Sequence, residues 1–234
     1  MNRISLILVP GLAADGRLWQ PVLQHLVDLV DPTIAACEGQ SIADWGDEIL
    51  AGAPNRFYVA GTSMGGYVAM EVALRKDPRV AGVILLNTNA RGASPEQRER
   101  AHAMVDLVRD GQFDQVVEKV SAFVAGGKPE LAGPVGTMTR ELGPEVFVRQ
   151  QLAIAERKDR REELARLEIP ALVIAGDEDR LAPPSLNNEI ARAIPRAELD
   201  ILPTGHLSTL ELPAAVASAM RQWLVAAETA AKRL

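Results

Sequence analysis

The sequence predicts an α/β protein built on a parallel sheet with helices on both faces. Two observations support this prediction. Six short apolar runs alternate with helical stretches along the chain, and strands joined through helices pair in parallel. The runs are also continuous rather than alternating in polarity, which is typical of strands that are covered on both faces.

The predicted elements follow one another in a regular order. Strands are expected at residues 4–9, 32–37, 56–60, 80–87, 171–176 and 197–203. Helices of the same repeat are expected at residues 17–29, 41–51, 64–76, 185–194 and 210–230. This strand–helix repetition covers both ends of the chain, which we expect to form one core from residues 1–90 and 168–234.

The middle of the chain breaks this rhythm. Residues 91–167 contain no strand run, and we expect them to form an inserted helical cap. Its helices are expected at residues 95–110, 113–125, 129–142 and 144–157. The first helix has a capping box, with Ser94 at the N-cap and Gln97 at N3. Most apolar residues of the insertion are expected to pack together and a few to line a pocket; they include Met104, Phe113, Val117, Phe123, Met138 and Phe147.

Composition and charge narrow the class of protein. The chain has 234 residues, a net charge of −6 and 47% hydrophobic residues, as expected for a globular protein with a sizeable core. No cluster of Lys and Arg forms a face, so we expect neither nucleic acid nor a membrane as partner. The single Cys37 fits a reducing compartment. We expect a cytoplasmic monomer or small homo-oligomer that acts on a small molecule.

A serine stands among glycines between a predicted strand and a predicted helix. Residues 61–65 read G-x-S-x-G with Ser63 at the centre, and strand–turn–helix is the context in which this motif forms a nucleophile elbow. Such a turn strains the serine backbone and needs very small residues two positions before and after it. A simpler interpretation is that Ser63 caps the helix that follows.

A nucleophilic serine needs a base and an acid that orients the base. Of the three histidines, His25 and His102 lie in predicted helices, whereas His206 follows the last strand run. That loop lies at the sheet edge where such folds place their sites, so we expect His206 to be the base. The acid is expected among residues 177–179, because residues 87–89 after the fourth strand offer no carboxylate.

Four segments in this order resemble the α/β-hydrolase superfamily, especially its small esterase and lactonase-like members. LVPGLAADGRLW resembles the oxyanion loop, VAGTSMGGYVAMEVA the elbow, VIAGDEDRLAPP the acid loop and LPTGHLSTLELP the histidine loop. The chain departs from the family at Pro10, where His is common. The resemblance implies an α/β-hydrolase fold with an inserted cap. Since the first recognisable strand already leads into the oxyanion loop, we expect six parallel strands rather than eight with an antiparallel edge.

The resemblance also implies which acid is used. The acid loop of the family usually reads G-x-x-D-x-x-x-P, which here aligns with Gly176, Asp179 and Pro183. Asp179 is therefore expected to be the acid, and Asp177 a neighbour. The catalytic residues that the resemblance implies are Ser63, Asp179 and His206.

The attacked carbonyl is expected to develop its negative charge beside two backbone N–H groups, those of Leu12 and Met64. Each such donor contributes about 10²–10³ in rate. No Cys/His cluster has metal-ligand spacing and no G-x-G-x-x-G is present, so we expect neither a metal nor an organic cofactor.

The expected reaction is the hydrolysis of a carboxylic ester, thioester or lactone of a small to medium apolar substrate, through an acyl-enzyme on Ser63. The same fold supports other chemistry. One alternative is a lyase that uses the triad to cleave a carbon–carbon bond. Another is a non-catalytic protein that binds a small molecule on this scaffold.

Overall fold

The structure, a computed structural model, describes residues 3–232. Its strands, numbered along the chain, are β1 Ile4–Val9, β2 Val30–Ile34, β3 Phe57–Thr62, β4 Val80–Leu86, β5 Ala171–Gly176 and β6 Ala197–Leu202. Its α-helices are α1 Gln20–Leu23, α2 Ile42–Gly52, α3 Met64–Leu74, α4 Pro95–Arg109, α5 Phe113–Val124, α6 Pro129–Leu142, α7 Pro144–Ala155, α8 Arg161–Leu164, α9 Pro184–Ala193, α10 Ser208–Glu211 and α11 Pro213–Ala231. A 3-10 helix, Gly16–Leu18, precedes α1.

The six strands form one sheet in which every neighbouring pair is parallel. Their order across the sheet is β2-β1-β3-β4-β5-β6. Every residue of β3 and β5 is buried, as the continuous apolar runs predict. The predicted six-stranded parallel sheet is therefore confirmed.

The edge strand β2 differs from its prediction. It spans Val30–Ile34 rather than 32–37, and its last four residues are exposed. Pro32 has no N–H to donate, and it is accommodated because β2 has a neighbouring strand, β1, on one side only. The expectation that every strand is covered on both faces is therefore wrong at this edge, and also at the other edge strand, β6, in which Leu202 alone is buried.

The helices lie within two residues of their predictions, with two exceptions. The stretch 17–29 forms only the 3-10 helix, α1 and turns with i to i−3 bonds, such as Leu26 N–H to Leu23 C=O at 3.0 Å. Such bonds close turns that are tighter than those of an α-helix. The stretch 210–230 is divided at Pro213, which starts α11, and α8 was not predicted. No helix within residues 3–232 is long and apolar enough to cross a bilayer.

Two apolar cores cover the two faces of the sheet. Successive side chains of a strand point to opposite faces, so Tyr58 and Val59 of β3 enter different cores. Val59 packs in the core that contains Val68 of α3. Tyr58 meets Trp223 of α11 edge to face, with 5.7 Å between ring centroids. The sheet is thereby fixed from both sides and forms a rigid base for the loops at its carboxyl end.

Helices α4 to α8 follow one another between β4 and β5. Within this helical segment α4 packs against α7, and α5 packs against α6. Small apolar clusters join it to two loops of the sheet, through Met138 and Leu207 in one cluster and Phe147 and Ala13 in another. Phe123, which was expected to pack or line a pocket, is 64% exposed. The segment thus lies against the loops that follow β1 and β6.

The turn after β3 brings backbone segments unusually close together. A Cβ on Gly61 would lie 2.0 Å from the carbonyl oxygen of Gly65, and a Cβ on Gly65 would lie 2.2 Å from that of Val9. Real Cβ atoms do not approach other atoms so closely, so the turn cannot form unless both residues are glycine. Gly66 allows a similar approach, because its Cβ would lie 2.6 Å from the Thr88 side chain.

We predict that Gly61→Ala lowers the free energy of unfolding by at least about 2 kcal/mol, because the added methyl group forces backbone apart in a packed region. The control is Gly52→Ala at the exposed end of α2, where an added Cβ meets nothing within 4 Å. That variant is expected to change stability by less than about 0.5 kcal/mol. Denaturant unfolding of both variants checks this, and equal effects would contradict the close approach.

Candidate active site

Ser63 lies in a sharp turn at the carboxyl end of β3. Its φ of 54° is in the left-handed region, which costs a non-glycine residue free energy. Two hydrogen bonds hold the turn: Ser63 N–H donates to the Leu86 carbonyl oxygen at 2.9 Å, and the Thr88 hydroxyl donates to the Ser63 carbonyl oxygen at 2.8 Å. Helix α3 begins at the next residue, Met64. The chain therefore forms the strand–turn–helix elbow that the motif predicts.

The side chain of Ser63 contacts His206 and not the helix. Its Oγ lies 2.9 Å from His206 Nε2, and no side-chain hydrogen bond caps the start of α3. The interpretation of Ser63 as a helix cap is therefore wrong. The other histidines, His25 and His102, are exposed.

Asp179 connects His206 to the backbone of the acid loop. Its Oδ2 lies 2.8 Å from His206 Nδ1, and its Oδ1 accepts the N–H groups of Leu181 and Ala182 at 2.8 and 3.0 Å. When Nδ1–H donates to Asp179, the lone pair of Nε2 faces the Ser63 hydroxyl. The arrangement can therefore transfer a proton from Ser63 to His206.

Opposing effects set the pKa of Asp179. Burial raises it, whereas the hydrogen bond and charge of His206, the Ala182 N–H and the Asn87 amide lower it, and the net pKa is below the usual value. Asp179 is therefore ionised at neutral pH and can stabilise a charged imidazole ring. Asp177 and Glu178 are both exposed. Of the three acids in this loop, Asp179 is the one that contacts His206.

The two amides expected to bind an oxyanion are those of Leu12 and Met64. Leu12 is in the turn after β1, and Met64 is the first residue of α3. Within residues 3–232 neither N–H donates to a backbone carbonyl, so both are available to a ligand. The turn itself is held by the helical segment: Gln150 Oε1 accepts the Ala13 N–H at 2.6 Å, and the Thr139 hydroxyl donates to the Ala13 carbonyl oxygen at 3.1 Å.

Asn87 is a buried residue of the site whose contacts the sequence did not predict. Its Nδ2 donates to Asp179 Oδ2 at 3.1 Å and to the Gly205 carbonyl oxygen at 3.2 Å. Its Oδ1 accepts the Ser208 hydroxyl at 2.5 Å. The side chain thus holds the acid loop and the histidine loop together. The available signal is its position, because Asn87 occupies the place after β4 that is the alternative position for the acid.

Glu211 is a second residue of the site whose contacts the sequence did not predict. Its carboxylate accepts the N–H groups on both sides of His206, that of Gly205 at 2.9 Å and that of Leu207 at 3.1 Å. Lys128, in the loop between α5 and α6, lies 2.5 Å from the same carboxylate. The position of His206 is therefore fixed by a charge pair that includes the helical segment.

A small apolar cavity of about 40 Å³ opens beside Ser63 and His206. Its other walls are mainly aliphatic: Leu12, Leu18, Val120, Val124, Val135 and Leu207. Val120 and Val124 belong to α5 and Val135 to α6, so the helical segment forms part of the wall of this cavity. Within residues 3–232 no group of three or more His, Cys, Asp or Glu side chains is placed to hold a metal ion.

The comparisons with known proteins identify the family. The sequence model described as the alpha/beta hydrolase family matches residues 6–219. The chain belongs to the alpha/beta hydrolase family. This family is the one that the four sequence segments resemble, and the chain is therefore a hydrolase.

Relatives of this alpha/beta hydrolase include esterases. A pimeloyl-acyl-carrier-protein methyl ester esterase of Xanthomonas campestris pv. campestris is 30% identical over 95% of both chains. A thermophilic esterase structure from Thermogutta terrifontis has a TM-score of 0.85 at 27% identity, and covers 96% of this chain and 90% of its own. An enol-lactonase structure from Burkholderia xenovorans has the same TM-score at 23% identity, over 96% and 92% of the two chains, and shows the fold alone.

We predict that Asp179→Asn lowers kcat for p-nitrophenyl acetate by about 10³–10⁴, because the neutral amide cannot stabilise a charged His206. The matched control, Asp177→Asn, removes an exposed carboxylate two residues away and is expected to keep kcat near that of the wild type. Steady-state kinetics of both variants check the assignment. The opposite pattern would show that Asp177 is the acid.

Proposed function

We propose that this alpha/beta hydrolase cleaves carboxylic esters through an acyl-enzyme on Ser63. The observation that carries the proposal is the continuous chain of contacts from Ser63 Oγ to His206 at 2.9 Å and from His206 to Asp179 at 2.8 Å. The esterases among the relatives support an ester as the class of bond that is cleaved. Thioesters and lactones have the same acyl carbonyl and belong to the same proposed class of substrate.

The reaction begins when Ser63 Oγ attacks the ester carbonyl and His206 Nε2 takes the hydroxyl proton. The carbonyl oxygen becomes an oxyanion, which accepts hydrogen bonds from the N–H groups of Leu12 and Met64. The C–O bond to the alcohol then breaks, and His206 returns its proton to the leaving oxygen. A water molecule, deprotonated by His206, attacks the acyl-enzyme in the same way and releases the carboxylic acid and free Ser63.

The strained turn of Ser63 contributes to this mechanism by its position. The start of α3 lies directly behind the serine, so its unpaired N–H groups and positive dipole end face the developing negative charge. Asp179 remains ionised at neutral pH because its net pKa is lowered. Negative charge on one side of His206 and N–H donors near Ser63 therefore favour the charge separation of the transition state.

The cavity beside Ser63 limits the size of the substrate group on one side of the ester carbonyl. About 40 Å³ is room for a group of one or two carbons, and its aliphatic walls exclude charge. We therefore expect esters with a methyl, ethyl or acetyl group on one side to be preferred. The helical segment supplies Val120, Val124 and Val135 to this wall, which supports its proposed role as a cap over the site.

We predict that kcat/KM falls from p-nitrophenyl acetate to butyrate to octanoate. The p-nitrophenyl group is large, so octanoate places a large group on each side of the carbonyl, whereas acetate places only a methyl group on one side. Val124→Ala enlarges the cavity and is expected to raise the octanoate-to-acetate ratio of kcat/KM by about tenfold or less, the effect of a few methylene contacts. The control is Val225→Ala on the exposed face of α11, where Val225 is 48% exposed. A wild-type enzyme that prefers octanoate would contradict the assignment of the cavity.

The proposed function is tested by covalent labelling. A fluorophosphonate is expected to add one group to the wild-type protein, located by mass spectrometry on the peptide that contains Ser63, and to add none to Ser63→Ala. Ser218→Ala, which removes an exposed serine of α11, is expected to label like the wild type. Absence of labelling on the Ser63 peptide, or no hydrolysis of p-nitrophenyl acetate, would overturn the proposal.

A further inference from the structure

A second cavity is bordered by the turn that follows β1. Its volume is about 340 Å³, within the range of small-molecule sites. Gly11 and Ala14 line both this cavity and the one at Ser63. A Cβ on Gly11 would lie 3.6 Å from the Ser63 Cβ, so the turn that borders both cavities lies beside the nucleophile.

Most of the wall of this second cavity is hydrocarbon. The apolar residues that line it are Pro10, Ala14, Ile34, Ala35, Ala36, Cys37, Met64, Leu142 and Val146. The cavity also contains one cationic side chain, Arg149 of α7, and two acidic ones, Asp15 and Glu38. A hydrocarbon wall with a single guanidinium fits an aliphatic chain that ends in an anionic group.

Arg149 lacks the partners that a half-buried guanidinium normally has. Its Nη2 donates to the Cys37 carbonyl oxygen at 3.4 Å, which is a long hydrogen bond. Its Nε is buried and has no hydrogen-bond partner among residues 3–232. Buried donors are almost always paired, so a guanidinium that lines the cavity with a single long hydrogen bond points to a ligand that supplies an acceptor.

The two acids of this cavity do not neutralise Arg149. Asp15 already binds Arg17, whose Nε and Nη2 lie 3.0 and 2.6 Å from its carboxylate oxygens, and the hydrogen bond to Arg17 lowers the pKa of Asp15. Glu38 is exposed and lies at the rim, where its own N–H donates to Glu48. The positive charge of Arg149 is therefore available to a bound molecule.

We propose that Arg149 binds a free carboxylate of the substrate, and that the substrate is a half-ester of a short aliphatic dicarboxylic acid. The ester carbonyl lies at Ser63, the small alcohol group fills the 40 Å³ cavity, and the acyl chain extends into the second cavity to Arg149. A planar guanidinium matches a carboxylate in two parallel hydrogen bonds. This inference rests on the proposed esterase function and specifies its substrate class.

The test compares monomethyl and dimethyl esters of succinic, glutaric and adipic acid, with acid release followed by titration. For the best chain length, wild-type kcat/KM is expected to be at least about tenfold higher for the half-ester than for the neutral diester. Arg149→Met is expected to remove this preference, mainly through a higher KM for the half-ester. Arg149→Lys keeps the charge without the planar fork and is expected to retain part of the preference.

The control variant is Arg140→Gln, which removes an arginine of α6 that pairs with Asp114 outside the cavity and is expected to keep the wild-type preference. Free glutarate or adipate should inhibit hydrolysis of p-nitrophenyl acetate competitively in the wild type and less in Arg149→Met. Equal kcat/KM for half-ester and diester in the wild type, or a preference unchanged in Arg149→Met, would overturn the inference while leaving the esterase function intact. Loss of fluorophosphonate labelling would instead overturn the function itself.

Discussion

The left-handed backbone of Ser63 is the constraint on which the rest of the site depends. A φ of 54° is retained only where surrounding structure holds it. Here that structure is the contact of Gly61 with Gly65, of Gly65 with the end of β1, and of Gly66 with Thr88. The rigid sheet, covered on both faces, brings these segments together. The loops after β1, β4, β5 and β6 then meet around one hydroxyl group.

The position of the base, His206, is fixed by hydrogen bonds between neighbouring loops, whereas that of Ser63 is fixed by close backbone contacts. Asn87 bonds to Asp179 and to Gly205, and Glu211 binds the two N–H groups that flank His206. These contacts fix the imidazole ring without touching it. Preorganisation of this kind matters because a displacement of the catalytic groups by about 1 Å greatly lowers the rate of the reaction.

The sequence predicted those features that depend on neighbouring residues. The central strands, the elbow at Ser63 and the loop position of His206 follow from local patterns, and the resemblance of the acid loop to the family pattern singled out Asp179. The predictions for the edge strand β2 and for residues 17–29 were wrong, because solvent exposure and tertiary packing, and not periodicity, decide the structure of these segments. Contacts between distant segments leave no pattern in the sequence. The hydrogen bond of Ser208 to Asn87 spans 121 positions, and that of Arg149 to Cys37 spans 112.

The pairing of Lys128 with Glu211 joins parts of the chain 83 positions apart, one in the helical segment and one in the sheet domain. Glu211 is largely buried, and a buried carboxylate without its cation is strongly destabilising. The helical segment is therefore not an interchangeable module. A chimera that takes its helices from another alpha/beta hydrolase must bring a cation to the position of Lys128, or Glu211, which holds the loop that carries His206, keeps a largely buried charge without its cation.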